Sequence, residues 1–176
     1  MMPSAQRMAS IAMIAMLALL CPAMPARAER VCIPLVGRAI YARPVTWGQV
    51  CHIVDGDTFD IDTDGDGLAD DRVRPIGIDT PERGECYYRE ASARAEALLL
   101  GRLVALERDK SARDRYGRLL AYVYAPSGGW FNGIMVREGY ARVAVYPPDV
   151  LYIPALQAQE AQAQAERAGG WGACGW

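Results

Sequence analysis

The feature that most constrains the fold of this chain is a series of short strand-like segments with one helical segment inserted between the third and the fourth. Stretches that are rich in strand-favouring residues, or in which apolar and polar residues alternate, predict five strands, at 44–54, 58–62, 72–78, 103–108 and 119–124. Apolar residues at helical spacing predict a helix over 89–100, which Gly101 ends. Five strands in this order can close into a small OB-type barrel.

Two further helices are predicted downstream of the last strand. Apolar residues around Phe131 mark a short helix that ends at Gly139. Pro154 opens an Ala/Gln-rich helix that Gly169-Gly170 terminates. The sequence therefore predicts an α+β fold, a five-stranded OB-fold β-barrel with three helices.

The N-terminal segment does not resemble the rest of the domain. Arg7 precedes an apolar run over 8–20, and Ala26-Arg27-Ala28 has the small-x-small pattern of a cleavage site. The run is shorter than the about 20 apolar residues of a membrane-spanning helix. We therefore predict a signal peptide at 1–28 and a single mature domain at 29–176, exported to the periplasm or secreted, without a membrane anchor.

The charge of the predicted mature chain limits how it can bind a polyanion. Without residues 1–28 the chain has 17 basic and 21 acidic residues, a net charge of −4. Such a chain does not attract nucleic acid over its whole surface. Any binding of DNA or RNA must depend on a local cationic patch.

Cysteine usage agrees with export. Cys32, Cys51, Cys86 and Cys174 remain after residue 28, and an even number of cysteines in an exported chain predicts disulfides. Four cysteines allow three pairings, among which the sequence does not choose. A zinc site is disfavoured, because the nearest two cysteines are 19 residues apart and His52 is the single histidine.

Reactive side chains are concentrated in three short segments, 54–58, 74–82 and 114–118. Carboxylates lie at predicted turns and strand ends, and they repel one another unless a cation lies between them. Oxygen ligands of this kind suit Ca²⁺, which tolerates irregular sites. The carboxylates are Asp55, Asp57, Asp79 and Glu82. Asp55-Gly56 taken alone is equally a common hairpin turn.

Arginines accompany these carboxylates. Arg74 and Arg118 each offer a planar guanidinium that matches phosphate oxygens, and a nearby cation would complete a phosphate clamp. Glu82, three residues beyond Asp79, could orient or deprotonate an attacking water. One histidine excludes a two-histidine mechanism, and the sequence has neither a Gly-x-Ser-x-Gly elbow nor a Walker-type phosphate loop.

Together the motifs resemble the thermonuclease (staphylococcal nuclease-like) family. The matching stretches read Val-Asp-Gly-Asp-Thr at 54–58, Ile-Asp-Thr-Pro-Glu at 78–82, Asp-Arg-Tyr-Gly-Arg at 114–118 and Val-Arg-Glu-Gly-Tyr-Ala at 136–141. The resemblance extends over roughly residues 50–171. It implies an OB-fold barrel with three helices, and Ca²⁺-dependent hydrolysis of DNA and RNA at the P–O5′ bond that leaves 3′-phosphates.

The resemblance also implies a role for individual residues. The Ca²⁺ ligands would be the side chains of Asp57 and Asp79 and the backbone carbonyl of Thr80. The catalytic residues would be Arg74 and Arg118, which hold the scissile phosphate, and Glu82, as general base or water-orienting group. The substrate-binding residues would be Arg115, Tyr116 and, stacking on a base or sugar, Tyr146.

An acidic loop at 62–71 is a departure from the family pattern. It begins as Asp-x-Asp-x-Asp-Gly, like an EF-hand loop, but position twelve is Val73 where an EF-hand has glutamate. Asp70 could take the place of that ligand. The sequence is consistent with two alternatives. The loop is either a solvated acidic turn without an ion or a second Ca²⁺ site formed by Asp62, Asp64, Asp66 and Asp70.

Three functions are compatible with these features. The first is an active, monomeric nuclease with DNA and RNA as substrates. The second is a catalytically silent nucleic-acid-binding OB module, and the third is a calcium-binding structural protein of the cell envelope. A silent relative has no need of Arg74, Glu82 and Arg118, yet all three are present with Asp57 and Asp79. The sequence therefore favours the nuclease.

Overall fold

The computed structural model describes residues 41–125 and 129–176. The predicted signal peptide and Cys32 lie outside these residues. The described elements are β1 (Val45–Asp55), β2 (Thr58–Asp62), β3 (Asp71–Pro75), β4 (Ile78–Asp79), α1 (Tyr88–Leu99), β5 (Leu103–Glu107), β6 (Leu119–Tyr124), α2 (Phe131–Arg137), β7 (Arg142–Val143), α3 (Ile153–Ala165) and α4 (Gly170–Ala173). None of the helices in these ranges is long and apolar enough to cross a membrane.

Five strands form a closed barrel in the order β1–β2–β3–β6–β5. Neighbouring strands are antiparallel except for β3 and β6, which are parallel with Arg74 opposite Leu120. Alternate residues of the strands point inward, so that Val50, Phe59, Ile61 and their neighbours form a buried core. The predicted α+β fold, a five-stranded OB-type barrel with helices, is confirmed.

The third predicted strand is not continuous. The sequence predicted one strand over 72–78, whereas β3 ends at Pro75, a turn follows at Ile76-Gly77, and β4 pairs with β7 outside the barrel. Gly77 has φ +79°, a conformation that favours glycine, and a Cβ at this position would lie 2.6 Å from Leu156 Cδ1. The turn carries Asp79 out of the barrel and onto a separate two-stranded sheet.

Asn132 of α2 anchors that turn. Its side chain, fully buried, accepts a hydrogen bond from the Val123 N–H at 2.9 Å and donates one to the Ile76 carbonyl at 2.8 Å. The amide therefore links β6 to the start of the turn. Buried backbone groups of an irregular segment need such partners, because an unpaired polar group costs free energy in the interior.

The helices near the C-terminus of the chain differ from the prediction. α1 buries Ala91, Ala95 and Leu99, as its spacing predicts. The Ala/Gln-rich helix α3 ends at Ala165, earlier than predicted, and Gly169-Gly170 opens a fourth, short helix. The reason is a close backbone approach, since the Gly170 N–H donates to the Gly139 carbonyl at 2.9 Å and leaves no room for side chains there.

Cys86 and Cys174 form a disulfide between positions that are 88 residues apart in sequence, a pairing that the sequence left open. The bond ties the segment before α1 to α4. Cys51 is exposed on β1 and has no disulfide partner among the described residues. The outcome for Cys32 is outside the described part of the chain.

We expect the double variant Cys86→Ser, Cys174→Ser to lose about 4 kcal/mol of unfolding free energy, because a bond that closes a long loop restricts the unfolded chain. Urea unfolding under oxidising conditions measures this loss. Cys51→Ser is the matched control and should be nearly neutral, since this thiol is exposed. Equal stability of the double variant and the wild type would show that the bond contributes nothing.

Candidate active site

The tight turn between β1 and β2 presents the first carboxylates. Asp55 Oδ1 accepts a hydrogen bond from the Asp57 N–H at 3.0 Å, which fixes the turn. Gly56 is needed for space, because a Cβ there would lie 2.8 Å from Thr80 Oγ1 and Cγ2. The absence of a side chain lets the turn pack directly against Thr80, at the end of β4.

Arg74 joins the two carboxylates that the sequence singled out as metal ligands. One guanidinium nitrogen lies 3.1 Å from Asp57 Oδ2, and the other donates a hydrogen bond to Asp79 Oδ1 at 3.1 Å. The first nitrogen also donates to the Ile78 carbonyl at 2.9 Å. The planar guanidinium is thereby held in one orientation between the β1–β2 turn and β4.

The two carboxylates differ in their surroundings. The side chain of Asp57 is 9% exposed and that of Asp79 is 42% exposed. Burial raises the pKa of Asp57 to about 6, although the Arg74 charge and the Thr80 N–H, which donates to Oδ2 at 2.7 Å, oppose this shift. Asp57 is therefore a fixed, poorly solvated carboxylate, while Asp79 faces solvent.

These residues fit a hard divalent cation. Asp57 and Asp79 supply carboxylate oxygens, and the Thr80 carbonyl is the next backbone oxygen along the chain after Asp79. A buried carboxylate whose ionisation is opposed by desolvation gains from a second positive charge nearby. All the donors are oxygens, the kind of ligand that Ca²⁺ prefers.

Glu82 lies in the segment between β4 and α1. Its side chain is exposed, and its N–H donates to Glu85 Oε2 at 2.8 Å. The segment is held at its far end by the Cys86 disulfide and by Tyr87, whose ring stacks on that of Tyr140 at 5.5 Å. The carboxylate of Glu82 makes no hydrogen bond or ion pair within residues 41–125 and 129–176. It is therefore free to accept a hydrogen bond from a water or a ligand.

Arg118 does not contact the Asp57–Arg74–Asp79 group. Its guanidinium pairs with Asp114 at 2.7 Å and lies over the Tyr116 ring, 5.4 Å from the centroid. Asp114 also accepts hydrogen bonds from the N–H groups of Tyr116 and Arg118. The motifs alone predict no role for Asp114, although its i, i+4 spacing from Arg118 is a sequence signal of an ion pair.

Arg118 directly precedes the strand that pairs with the strand of Arg74. Arg74 is opposite Leu120 on the parallel strand β6, and Arg118 lies two residues before Leu120 in sequence. Strand geometry puts such diagonal Cα atoms roughly 8 Å apart. A guanidinium at the end of an arginine side chain can bridge that separation once it leaves Asp114.

The two predicted substrate-binding residues of the third motif lie together. Arg115 has its guanidinium 4.7 Å from the centroid of the Tyr116 ring, and that ring is 67% exposed. Tyr146 is also exposed, in the segment between β7 and α3. The described structure shows no contact of Tyr146 with Tyr116 or with the carboxylates.

The acidic loop between β2 and β3 gathers three of its four predicted ligands. Carboxylate oxygens of Asp62, Asp64 and Asp70 lie within 4.8 Å of one another, and Asp66 is not part of this group. Asp66 instead accepts the Leu68 N–H at 2.7 Å. The buried Asp62 accepts the N–H groups of glycines 65 and 67, which satisfies its oxygens without an ion.

Comparison with known proteins adds independent support. The profile of the family described as Staphylococcal nuclease homologue matches residues 72–173. The chain is 38% identical over 128 residues to a protein named thermonuclease from Staphylococcus intermedius, an alignment that covers 69% of this chain and 74% of the relative. It is 35% identical over 147 residues to an uncharacterized endonuclease of Escherichia coli, with 81% and 90% covered.

Fold and site together define an OB-type barrel protein with an arginine-bridged pair of carboxylates at one end of the barrel. The profile match covers more than half of the chain, and the relatives align along most of its length. The chain belongs to the staphylococcal nuclease homologue family.

We expect Arg74→Gln to lower the free energy of unfolding in chelator by on the order of 3 kcal/mol, because it leaves the largely buried Asp57 without its cationic partner. Arg137→Gln is the matched control, since Arg137 pairs with Glu166 on the exposed surface, and it should cost less than about 1 kcal/mol. Urea unfolding measures both. Equal losses would contradict a stabilising role for Arg74 in the site.

Proposed function

We propose that this protein is a Ca²⁺-dependent nuclease that hydrolyses phosphodiester bonds of DNA and RNA at P–O5′ and leaves 3′-phosphates. The observation that carries the proposal is the Arg74 guanidinium held 3.1 Å from both Asp57 and Asp79. This arrangement joins a phosphate-binding fork to an oxygen-ligand set in a single site. The family, and relatives named thermonuclease and endonuclease, support the same activity.

Asp57, Asp79 and the Thr80 carbonyl would hold the cation. A bound Ca²⁺ supplies positive charge to the phosphate oxygens as negative charge builds on them. The protein contributes a fixed geometry, because the Asp57 carboxylate is already oriented by the Thr80 N–H at 2.7 Å. A preorganised carboxylate avoids the free-energy cost of reorienting during the reaction.

The two arginines divide the work of binding the phosphate. Arg74 is in place beside the carboxylates and can turn its hydrogen bonds from Asp79 to a phosphate oxygen. Arg118 is paired with Asp114 and packs on the Tyr116 ring, next to the strand that neighbours the strand of Arg74. As the phosphodiester bond breaks, the additional negative charge on the phosphate oxygens would draw Arg118 away from Asp114 and across to the same phosphorus. Two guanidiniums there stabilise the transition state more than the ground state.

Glu82 would orient or deprotonate the attacking water. Its exposed carboxylate is three residues beyond Asp79, the last residue of β4, and this short separation supports a role at the same site. The disulfide at Cys86 and the Tyr87–Tyr140 stack restrain the segment that carries it. A restrained carboxylate with no competing partner among the described residues suits a general base.

The protein is also proposed to act outside the cytoplasm as a monomer, after removal of residues 1–28. The charge and apolar pattern of that segment support export. A disulfide between Cys86 and Cys174 agrees with an oxidising compartment. The mature domain would then be the 29–176 chain that carries all the residues of the site.

We expect Glu82→Gln and Arg118→Ala each to lower kcat by on the order of a hundredfold or more, because both act on the transition state. Glu96→Gln is the matched control, an exposed glutamate on α1 away from the site, and should keep wild-type activity. The assay follows cleavage of single- and double-stranded DNA and RNA in Ca²⁺, with end-group analysis of the products.

The same assay separates the proposed enzyme from a silent nucleic-acid-binding module. A nuclease of this kind loses activity in EDTA and regains it on addition of Ca²⁺. Full activity in EDTA would contradict the metal assignment. Oligonucleotide binding without any cleavage, under every condition, would favour the silent OB module.

A further inference from the structure

The two-stranded sheet of β4 and β7 places a further arginine beside one of the proposed cation ligands. Arg142 on β7 is the direct partner of Asp79 on β4. Directly opposite residues of an antiparallel pair point to the same face of the sheet, with their Cβ atoms about 5 Å apart. Arg142 is exposed, so its long side chain is free to turn towards the Asp79 carboxylate.

The backbone of β7 is held in place next to this arginine. The Val143 N–H donates a hydrogen bond to Glu160 Oε1 of α3 at 2.8 Å. The Ala144 N–H donates one to the Gly77 carbonyl at 3.1 Å. The position of the strand is therefore fixed, and the direction of the arginine side chain decides what its guanidinium contacts.

Asp79 has room for a second cationic partner. Its Oδ1 atom accepts a hydrogen bond from Arg74 at 3.1 Å, and its side chain is 42% exposed. Within the described residues, Oδ2 accepts no hydrogen bond and joins no ion pair. Because Ca²⁺ binds through carboxylate oxygens, a second guanidinium on Oδ2 would compete with the cation for Asp79.

The guanidinium of Arg142 lies over an indole instead. Its central carbon is 5.5 Å from the centroid of the Trp176 ring, and its side chain makes no hydrogen bond or ion pair in the part of the chain that the structure describes. A cation over an aromatic face gains about as much as an exposed ion pair contributes. The Trp176 ring can therefore compete with Asp79 for the arginine.

The Trp176 ring is itself held by its neighbours. It packs on Gly170 of α4, where a Cβ would overlap the indole. It meets the rings of Trp171 and Tyr87 at steep angles, with centroid distances of 5.8 and 6.2 Å. Two residues earlier, the disulfide at Cys174 ties this segment to the start of α1. These contacts fix the aromatic face on which the arginine rests.

We propose that Trp176 is a positioning residue for the cation site, because it holds Arg142 on its ring and so leaves Oδ2 of Asp79 to Ca²⁺. The inference rests on the proposed Ca²⁺-dependent function and deepens it. Without the ring, Arg142 pairs with Asp79, and the cation must displace a guanidinium before it binds. Arg74 cannot take this role, since it already bridges Asp79 to Asp57.

The test measures Ca²⁺ binding to the mature protein by calorimetric titration, without nucleic acid. The parent protein for all variants carries Asp64→Asn and Asp70→Asn, which removes the acidic loop as a second source of binding. We expect Trp176→Ala to raise the Kd for Ca²⁺ by about threefold, the competition expected from one exposed ion pair. The difference from the parent should fade at high salt, which screens exposed pairs. Trp176→Phe retains an aromatic face and should bind nearly as tightly as the parent.

Arg142→Gln separates this role from a general loss of packing. In that background, Trp176→Ala should leave the Kd unchanged, because no guanidinium remains to pair with Asp79. Trp47→Ala is the matched control, since it removes a half-buried tryptophan of β1. It should bind Ca²⁺ as the parent does.

An unchanged Kd in Trp176→Ala would overturn the inference. An increase that persists in the Arg142→Gln background, or at high salt, would overturn it as well. Either result would leave the proposed nuclease function intact, because Ca²⁺-dependent cleavage is assayed separately. A parent protein that binds no Ca²⁺ would refute the metal assignment and the inference together.

Discussion

The structure depends on the bridge that Arg74 makes between Asp57 and Asp79. Two carboxylates from different parts of the chain would repel one another, and one of them is largely buried. The guanidinium neutralises this repulsion and is itself fixed by the Ile78 carbonyl. Its planar shape, which a lysine lacks, allows one side chain to meet both partners.

The barrel supplies the positions that make this bridge possible. The β1–β2 turn brings Asp57 to one end of the barrel. Strand β3 brings Arg74 to the same end, just before the turn at Gly77 interrupts the strand. The break is held by Asn132 from α2, and it places Asp79 where Arg74 can reach it. Helices on the outside thus determine the geometry of a site at the end of the strands.

The charge distribution gives the acidic protein two contrasting surfaces. Carboxylates gather at the β1–β2 turn, β4 and the loop after β2, where cations are expected to bind. The β5–β6 connection, residues 108–118, has five basic and two acidic residues, and its two acids are occupied by other groups of the protein. Positive charge that a polyanion needs is therefore concentrated in a segment other than those that carry the carboxylates.

Much of the fold follows from local sequence, because strand alternation and helical spacing are local signals. The barrel strands and α1 were predicted within a few residues, and the motif resemblance named the carboxylates that Arg74 joins. The broken third strand depends instead on Leu156, which packs against Gly77 from far along the chain. The partner of Arg118, and the Cys86–Cys174 pairing, likewise depend on three-dimensional proximity that spacing alone does not specify.

The most direct measurement is anomalous diffraction from crystals of the mature protein grown with Ca²⁺ and a hydrolysis-resistant oligonucleotide. We predict an anomalous peak within about 2.3–2.6 Å of oxygens of Asp57 and Asp79, with both Arg74 and Arg118 on the adjoining phosphate. A calcium peak confined to the loop of Asp62, Asp64 and Asp70, with Arg74 still bridging the two carboxylates, would contradict the assignment of the catalytic site.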